Sequence, residues 1–247
     1  METMTTSIIL PFLVFFPFLG AVISYIIGRS NKGARDIWCW ILSAVIFIAS
    51  LMLIGKETVY SLRGFCGLGL SFAADGFGVI LAVLTGAIWL ITTIFSKEYM
   101  AAERNRNRYY FFVFLTLGAT MGIFLSADLF TTFIFFEIMS FTSFVLVMHD
   151  EEDFTVRSAK TYLAVAVIGG LVTLMGLFMM YQKAGTLNMA ELTAFMQSRE
   201  NPAEFYAIGV LILFGFAAKA GLFPLHIWLP NAYTVAPAPP VRCSAVC

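Results

Sequence analysis

Apolar stretches separated by short polar ones dominate the chain, at 7–27, 37–54, 76–95, 109–126, 129–148, 158–181 and 204–229. Each is near the roughly 20 residues that a helix needs to cross a bilayer. The pattern predicts an all-α polytopic membrane protein with about seven transmembrane helices. Pro11 and Pro17 predict a kink near the start of the first. Between the second and third, Gly64, Gly67 and Gly69 mark an external hairpin or irregular loop. Residues 186–200 (TLNMAELTAFMQSRE) start with Thr and Asn and place apolar residues three to four apart. They predict a short amphipathic helix at the membrane surface. Gly118 and Gly122 form a GxxxG spacing that predicts close helix packing.

The seventh run departs from an ordinary span. Residues 211–231, LILFGFAAKAGLFPLHIWLPN, carry Lys219 deep inside, with Gly221 and Pro224 just beyond. Proline removes a backbone donor and disfavours helical geometry in the residue before it, so the helix is expected to break at Phe223–Pro224. Broken helices persist at membrane depth where they are buried or line a cavity.

Composition agrees with this reading: 60% of the 247 residues are hydrophobic, 12% are charged, and the formal net charge is zero. No basic cluster points to nucleic acid. Cys39, Cys66, Cys243 and Cys247 make no CxxC pair and no Cys/His cluster, so no metal or cofactor site is expected. The basic loops 28–36 and 96–108 outweigh the opposite loops 55–75 and 182–203 in Lys and Arg. The positive-inside rule then predicts a cell-membrane protein with its N-terminus outside. Glu2, with no Lys or Arg before the first apolar run, argues against a cleaved leader.

Two charges stand alone at membrane depth. Glu137 has seven or more uncharged residues on each side, and Lys219 lies at comparable depth. Each costs a few kcal/mol in hydrocarbon unless it faces a protein interior or a water path. Burial and mutual attraction pull such a pair's proton affinities in opposite directions, so a change of spacing switches them. Lys160, near the start of the sixth run, reads either as a snorkelling lysine or as a link between the two. His226 reads as support for backbone carbonyls freed at the break, or as a proton relay. Asp75 and Asp128 are placed to cap helices. Trp89, Trp228, Tyr109 and Tyr110 read as interface anchors, and Arg157 likewise.

With these residues placed, the chain resembles the antiporter-like proton-translocating subunits of respiratory complex I, multisubunit Na⁺/H⁺ antiporters and energy-converting hydrogenases. The resemblance runs from about Leu68 to Pro239. It rests on LGLSFAADGFGVI, FSKEYM, SADLFTTFIFFEIMSFTSFVLV, SAKTYLAVAVIGGL, GTLNMAEL and, above all, FAAKAGLFPLHIWLPNAY followed by APAP. It implies the first half of an inverted-repeat fold, with residues 1–106 as an N-terminal three-helix segment and 107–239 as an incomplete half-channel. It further implies Glu137 as the channel glutamate, Lys219 as its partner on the broken helix, and Lys160 as the connecting lysine. Phe136 stands where the family usually has Trp, and Asn231 where LPD is usual. Residues 240–247 depart from the family and read as a frameshifted tail.

The expected function is proton translocation, or Na⁺/H⁺ antiport, as one subunit of a redox-driven or antiporting membrane complex. Partner subunits and the bilayer are implied, with any NADH dehydrogenase or hydrogenase chemistry on other chains. A chain ending here is expected not to pump alone. The alternative is a structural membrane subunit whose buried charges only specify helix packing. A self-contained solute transporter has the broken helix in its favour, but lacks a second one to match.

Overall fold

The computed structural model describes residues 5–62, 64, 69–101, 103, 105–198, 203–223 and 225–236. Pro224, most of the glycine-rich loop and the tail 240–247 lie outside the described residues. Nine α-helices are described: α1 (Ile9–Ser30), α2 (Lys32–Leu51), α3 (Gly76–Tyr99), α4 (Arg106–Phe124), α5 (Leu129–Val147), α6 (Asp153–Ala184), α7 (Met189–Gln197), α8 (Ala203–Ala220) and α9 (Trp228–Val235). All seven expected runs are helical, and the short helix expected within 186–200 is α7. By length and composition, six spans among the described residues qualify for crossing a membrane. These are α1, α2, α3, α5, α6 and the stretch Phe205–Thr234, which takes in α8 and α9.

Of the seven expected runs the one left out is α4, whose first turn carries Arg106, Asn107 and Arg108. It compensates by position. Eleven of its 19 residues are buried, including Phe114, Leu117 and Met121, because it packs against α1, α3 and α5 together. Glycines allow the close approach: a Cβ at Gly118 would lie 2.6 Å from Phe18 of α1, and one at Gly122 would overlap the Phe135 ring of α5. The GxxxG spacing thus serves helix packing within the chain.

A small sheet closes one end of the bundle. Strands β1 (Thr5–Thr6), β2 (Thr58–Leu62) and β3 (Leu70–Ala74) lie in the order β1-β2-β3, the first pair parallel and the second antiparallel. The link between α4 and α5 joins its edge through Ala73 N–H to Leu125 O (2.8 Å) and Ala127 N–H to Ser71 O (2.9 Å). Helix starts are capped as expected. Asp75 accepts from Gly78 N–H at 2.7 Å, and Asp128 from Thr131 N–H at 2.7 Å. Asp128 also accepts from the Thr131 hydroxyl at 2.6 Å and Ser71 N–H at 3.1 Å, tying the start of α5 to β3.

The aromatic anchors are corrected. Trp89, Tyr109 and Tyr110 are each 1% exposed and Trp228 is 7% exposed. They face the bundle, and three of them give their polar atoms to the protein: Trp89 Nε1–H donates to Val113 O at 3.2 Å, the Tyr109 hydroxyl meets Ser96 Oγ at 2.7 Å, and Trp228 Nε1–H donates to Ala218 O at 2.9 Å. An indole or phenol suits a membrane surface, but the same polar handle suits a buried spot with one partner.

The caps allow a comparison. Asp75→Ala removes one recorded bond at an exposed helix start and should cost about 1 kcal/mol. Asp128→Ala strands the Thr131 N–H and hydroxyl in a buried place and should cost about 2–3 kcal/mol. Thermal unfolding of the two variants in detergent should show the larger loss for Asp128.

Candidate functional site: the broken helix and its cavity

Lys219 stands fourteen residues after Phe205 and fifteen before Thr234 in the spanning stretch that α8 and α9 share. One residue later the helix stops. Gly221 adopts φ +68°, the left-handed conformation that glycine takes without steric penalty. Leu222 N–H reaches back to Ala217 O at 3.0 Å, the six-to-one bond of a Schellman helix end. That bond takes Leu222 away from Ala218 O, its ordinary helical acceptor. The indole of Trp228, at the start of α9, supplies the replacement with Nε1–H to Ala218 O at 2.9 Å. A turn of 3-10 helix, Leu225–Ile227, leads from the break into α9.

The break therefore begins at Gly221, ahead of the Phe223–Pro224 position expected from the proline, and Pro224 itself lies outside the described residues. The carbonyl support expected of His226 comes from Trp228 instead. His226 is exposed, with its ring 5.7 Å from that of Phe223.

Helix α8 is pressed onto α6 by small residues. A Cβ at Gly215 would overlap Thr173 Oγ1 and Gly169 O, and one at Gly169 would lie 2.9 Å from the Ala218 Cβ. The neighbouring Gly170 faces α5, where a Cβ would lie 2.8 Å from Glu137 Cδ. The pair Gly169–Gly170 thus admits α8 with one residue and the Glu137 carboxylate with the next. Glu137 Oε1 is buried and has no hydrogen-bond partner among the described residues.

Lys219 is half-buried and points at α5. Its Nζ donates to Ser140 Oγ at 2.8 Å, and Ser140 Oγ donates in turn to Phe136 O at 2.8 Å. The ammonium lies 5.0 Å from the Phe136 ring centroid and 6.0 Å from that of Tyr162. Tyr162 is 2% exposed and its hydroxyl donates to Ser140 O at 3.2 Å. A cation over aromatic faces gains more when desolvated than in water, so Phe136, where the family usually has Trp, still offers Lys219 a π-face. Ser140 is three residues after Glu137 on α5, on the same helix face. Through that face the structure brings Lys219 beside the glutamate's turn.

A cavity of about 580 Å³ opens beside this arrangement between α4, α5, α6, α8 and α9. Lys219, Thr120, Thr132, Ser143, Tyr162 and Tyr233 contribute the polar groups of its wall. At about 30 Å³ per water molecule, it has room for well over ten. Lys160 is not part of the cluster, for it lies exposed on α6, as does Arg157 one turn earlier.

Ser140, Tyr162, Gly169, Gly170 and Trp228 were not singled out as site residues from sequence. Ser140 and Tyr162 are uncharged residues at helical spacing, indistinguishable from packing until α8 is seen against them. The GlyGly pair was the one available signal.

This arrangement, a spanning stretch broken beside a lysine with a glutamate on the facing helix, belongs to a helical membrane protein with a cavity at the break. Residues 126–243 match the family described as "NADH:quinone oxidoreductase/Mrp antiporter, TM", in line with an antiporter-like subunit family. The chain is 31% identical over 250 residues to a Na(+)/H(+) antiporter subunit of Bacillus subtilis (strain 168), covering 98% of this chain and 49% of that relative. Over 170 residues it is 32% identical to the corresponding antiporter subunit of Alkalihalophilus pseudofirmus, covering 69% of this chain and 34% of that one. The chain therefore spans about half the length, or less, of the curated relatives it matches. Two solved structures share its fold. A membrane-bound sulfane sulfur reductase, an archaeal respiratory complex, has a chain with TM-score 0.85 at 23% identity, covering 96% of this chain and 52% of that one. The Mrp complex of Dietzia sp. DQ12-45-1b gives 0.80 at 24%, covering 96% and 45%.

The α6–α8 contact is open to test. Gly215→Ala places a methyl against the Gly169 carbonyl, which cannot move without its helix, and overpacking of this kind costs about 1–3 kcal/mol. Gly209, on the same helix, has nothing within 4 Å of its would-be Cβ. Thermal unfolding should show a loss for Gly215→Ala and none for Gly209→Ala.

Proposed function

We propose that this chain forms part of a proton-translocating subunit in a multisubunit membrane complex, with Lys219 as the group that takes and releases the proton. The observation that carries the reading is Lys219 itself. It is held mid-span at a helix break, on the wall of a cavity, and bonded to Ser140, one helical turn from Glu137 on α5. An ammonium bonded to a hydroxyl can release its proton to cavity water, and the amine left behind takes another when the connection changes sides. Ser140 serves both states, as acceptor from the ammonium or as donor to the amine. Glu137 biases Lys219 through its charge, and protonation of one alters the affinity of the other. A change in the α5–α6–α8 spacing is then a change in proton affinity.

Lys160 is assigned the onward step, toward whatever packs on the exposed face of α6. Pro224 is assigned to the break as support, and His226 is the group that meets protons arriving at its exposed side. Transport of protons is favoured over Na⁺ because a sodium site needs several oxygen ligands and lysine has none. The subunit is placed in the cell membrane, N-terminus outside. Residues 1–106 act as a lateral helical support for the half-channel formed by 107–239. Relatives named as Na⁺/H⁺ antiporter subunits support antiport as the coupled process, and any redox chemistry belongs to other chains.

A packing role for Lys219 has its own support in the direct bond to Ser140. The two readings separate in the assembled complex, reconstituted in vesicles with a pH-sensitive dye inside. Lys219→Ala should abolish proton movement, a loss of a hundredfold or more being expected on the order of what a lost proton carrier costs, with subunit assembly intact. Glu137→Gln should slow it. Lost assembly with the remaining complexes pumping normally would establish the packing role and overturn the proposal.

A further inference from the structure

A second cavity, of about 830 Å³, lies at the opposite end of the molecule's N-terminal half, where α1 ends and α2 and α4 begin. Its wall carries Arg29, Lys32, Arg35, Arg106 and Arg108, with Glu103 as the acidic member. Three of the five cations already have carboxylate partners. Arg35 Nη2 lies 2.7 Å and Arg106 Nη2 3.2 Å from Asp36, and Arg108 pairs with Glu151. The Arg108 guanidinium holds the Glu151 carboxyl below the usual glutamate range by hydrogen bond and by charge, so that pair is formed at neutral pH. Arg29 and Lys32 have no carboxylate partner among the described residues. With Glu103 counted against them, five cations face three carboxylates around one opening.

A further observation points to an amphipathic ligand. The other side of the cavity is aromatic: Tyr25, Phe111 and Phe112 line it, with the Tyr25 and Phe111 rings edge to face at 5.8 Å. Tyr25 continues into the exposed apolar face of α1, with Val22 and Ile26 on the same helix. The cavity thus has a cationic end and an apolar end that runs onto the membrane-facing side of a spanning helix.

We infer that this cavity binds the phosphate group of an anionic phospholipid, with Arg29 and Lys32, the cations without a carboxylate partner among the described residues, around the headgroup and the acyl chains along Tyr25 and α1. Arginine forks match phosphate oxygens, and basic pockets between spanning helices at a membrane face are where anionic headgroups bind. A soluble phosphate would satisfy the cations and leave the aromatic end uncovered. An acidic protein segment would have no need of an apolar end that continues down a spanning helix.

The test uses the full chain, stripped of lipid in an uncharged detergent and titrated with phosphatidylglycerol, phosphatidylcholine or inorganic phosphate, with bound lipid read by native mass spectrometry and unfolding temperature measured alongside. Arg29→Gln/Lys32→Gln changes two exposed side chains and leaves the buried Arg35–Asp36 pair in place. Phosphatidylglycerol should be retained by the native chain and raise its unfolding temperature, while phosphatidylcholine should not. Affinity should fall on the order of tenfold or more in the double variant, and stay unchanged in Lys56→Gln, on the loop between α2 and β2. Undiminished phosphatidylglycerol binding in the double variant overturns the assignment. So does equal stabilisation by inorganic phosphate, which would mark a soluble-anion site. Equal losses in the double variant and Lys56→Gln would mean diffuse surface attraction and overturn it too. A headgroup site vacant in lipid but filled by an acidic partner peptide would reassign the cavity to protein.

Discussion

A lysine ammonium halfway along a membrane span must be given partners by the protein or lose its charge, and the second half of this fold is arranged around that requirement. Lys219 meets it with the Ser140 hydroxyl and the faces of Phe136 and Tyr162. Those partners lie on α5 and α6, so α8 must approach both closely. Gly169, Gly170 and Gly215 make the approach feasible by having no side chain where the helices touch. Replacing any of them with a larger residue shifts the lysine, the glutamate, or the contact between their helices.

The helix break is the second consequence. Ending α8 one residue past Lys219 frees backbone carbonyls inside the membrane, where each unsatisfied group costs several kcal/mol. Gly221 and the Leu222-to-Ala217 bond settle one, and the Trp228 indole another. The indole does so while packing its ring against Tyr162, 4.8 Å between centroids, which itself faces Lys219. Support of the break and surroundings of the cation are one connected cluster. A rearrangement at the break would be felt at the lysine.

Much of this was legible in the sequence because membrane-spanning runs, helix caps and isolated charges leave strong signals. The helices, the caps at Asp75 and Asp128, and the depth of Glu137 and Lys219 all followed from pattern. What was not legible depended on direction. Trp89, Trp228, Tyr109 and Tyr110 have the composition of surface anchors, and only packing shows that they point inward. Phe223–Pro224 marked the break by its strongest chemical signal, but Gly221, a weaker one, ends the helix first. Helix α4 is too polar to rank with the six spans because its arginines and asparagine sit in its first turn, although its burial on several sides makes it the centre of the N-terminal bundle. Ser140 carried no signal at all, since a serine in a spanning helix ordinarily bonds its own backbone.

Proton exchange at Lys219 that responds to Glu137 is the central claim. The most direct measurement is solid-state nitrogen NMR of Lys219 Nζ, assigned by substitution in lysine-labelled protein in lipid bilayers and followed over pH. The expected result is a reversible change between ammonium and amine signals, with a midpoint that moves when Glu137 is replaced by Gln. An ammonium signal that persists at every pH where the protein stays folded, or a midpoint indifferent to Glu137, would contradict it.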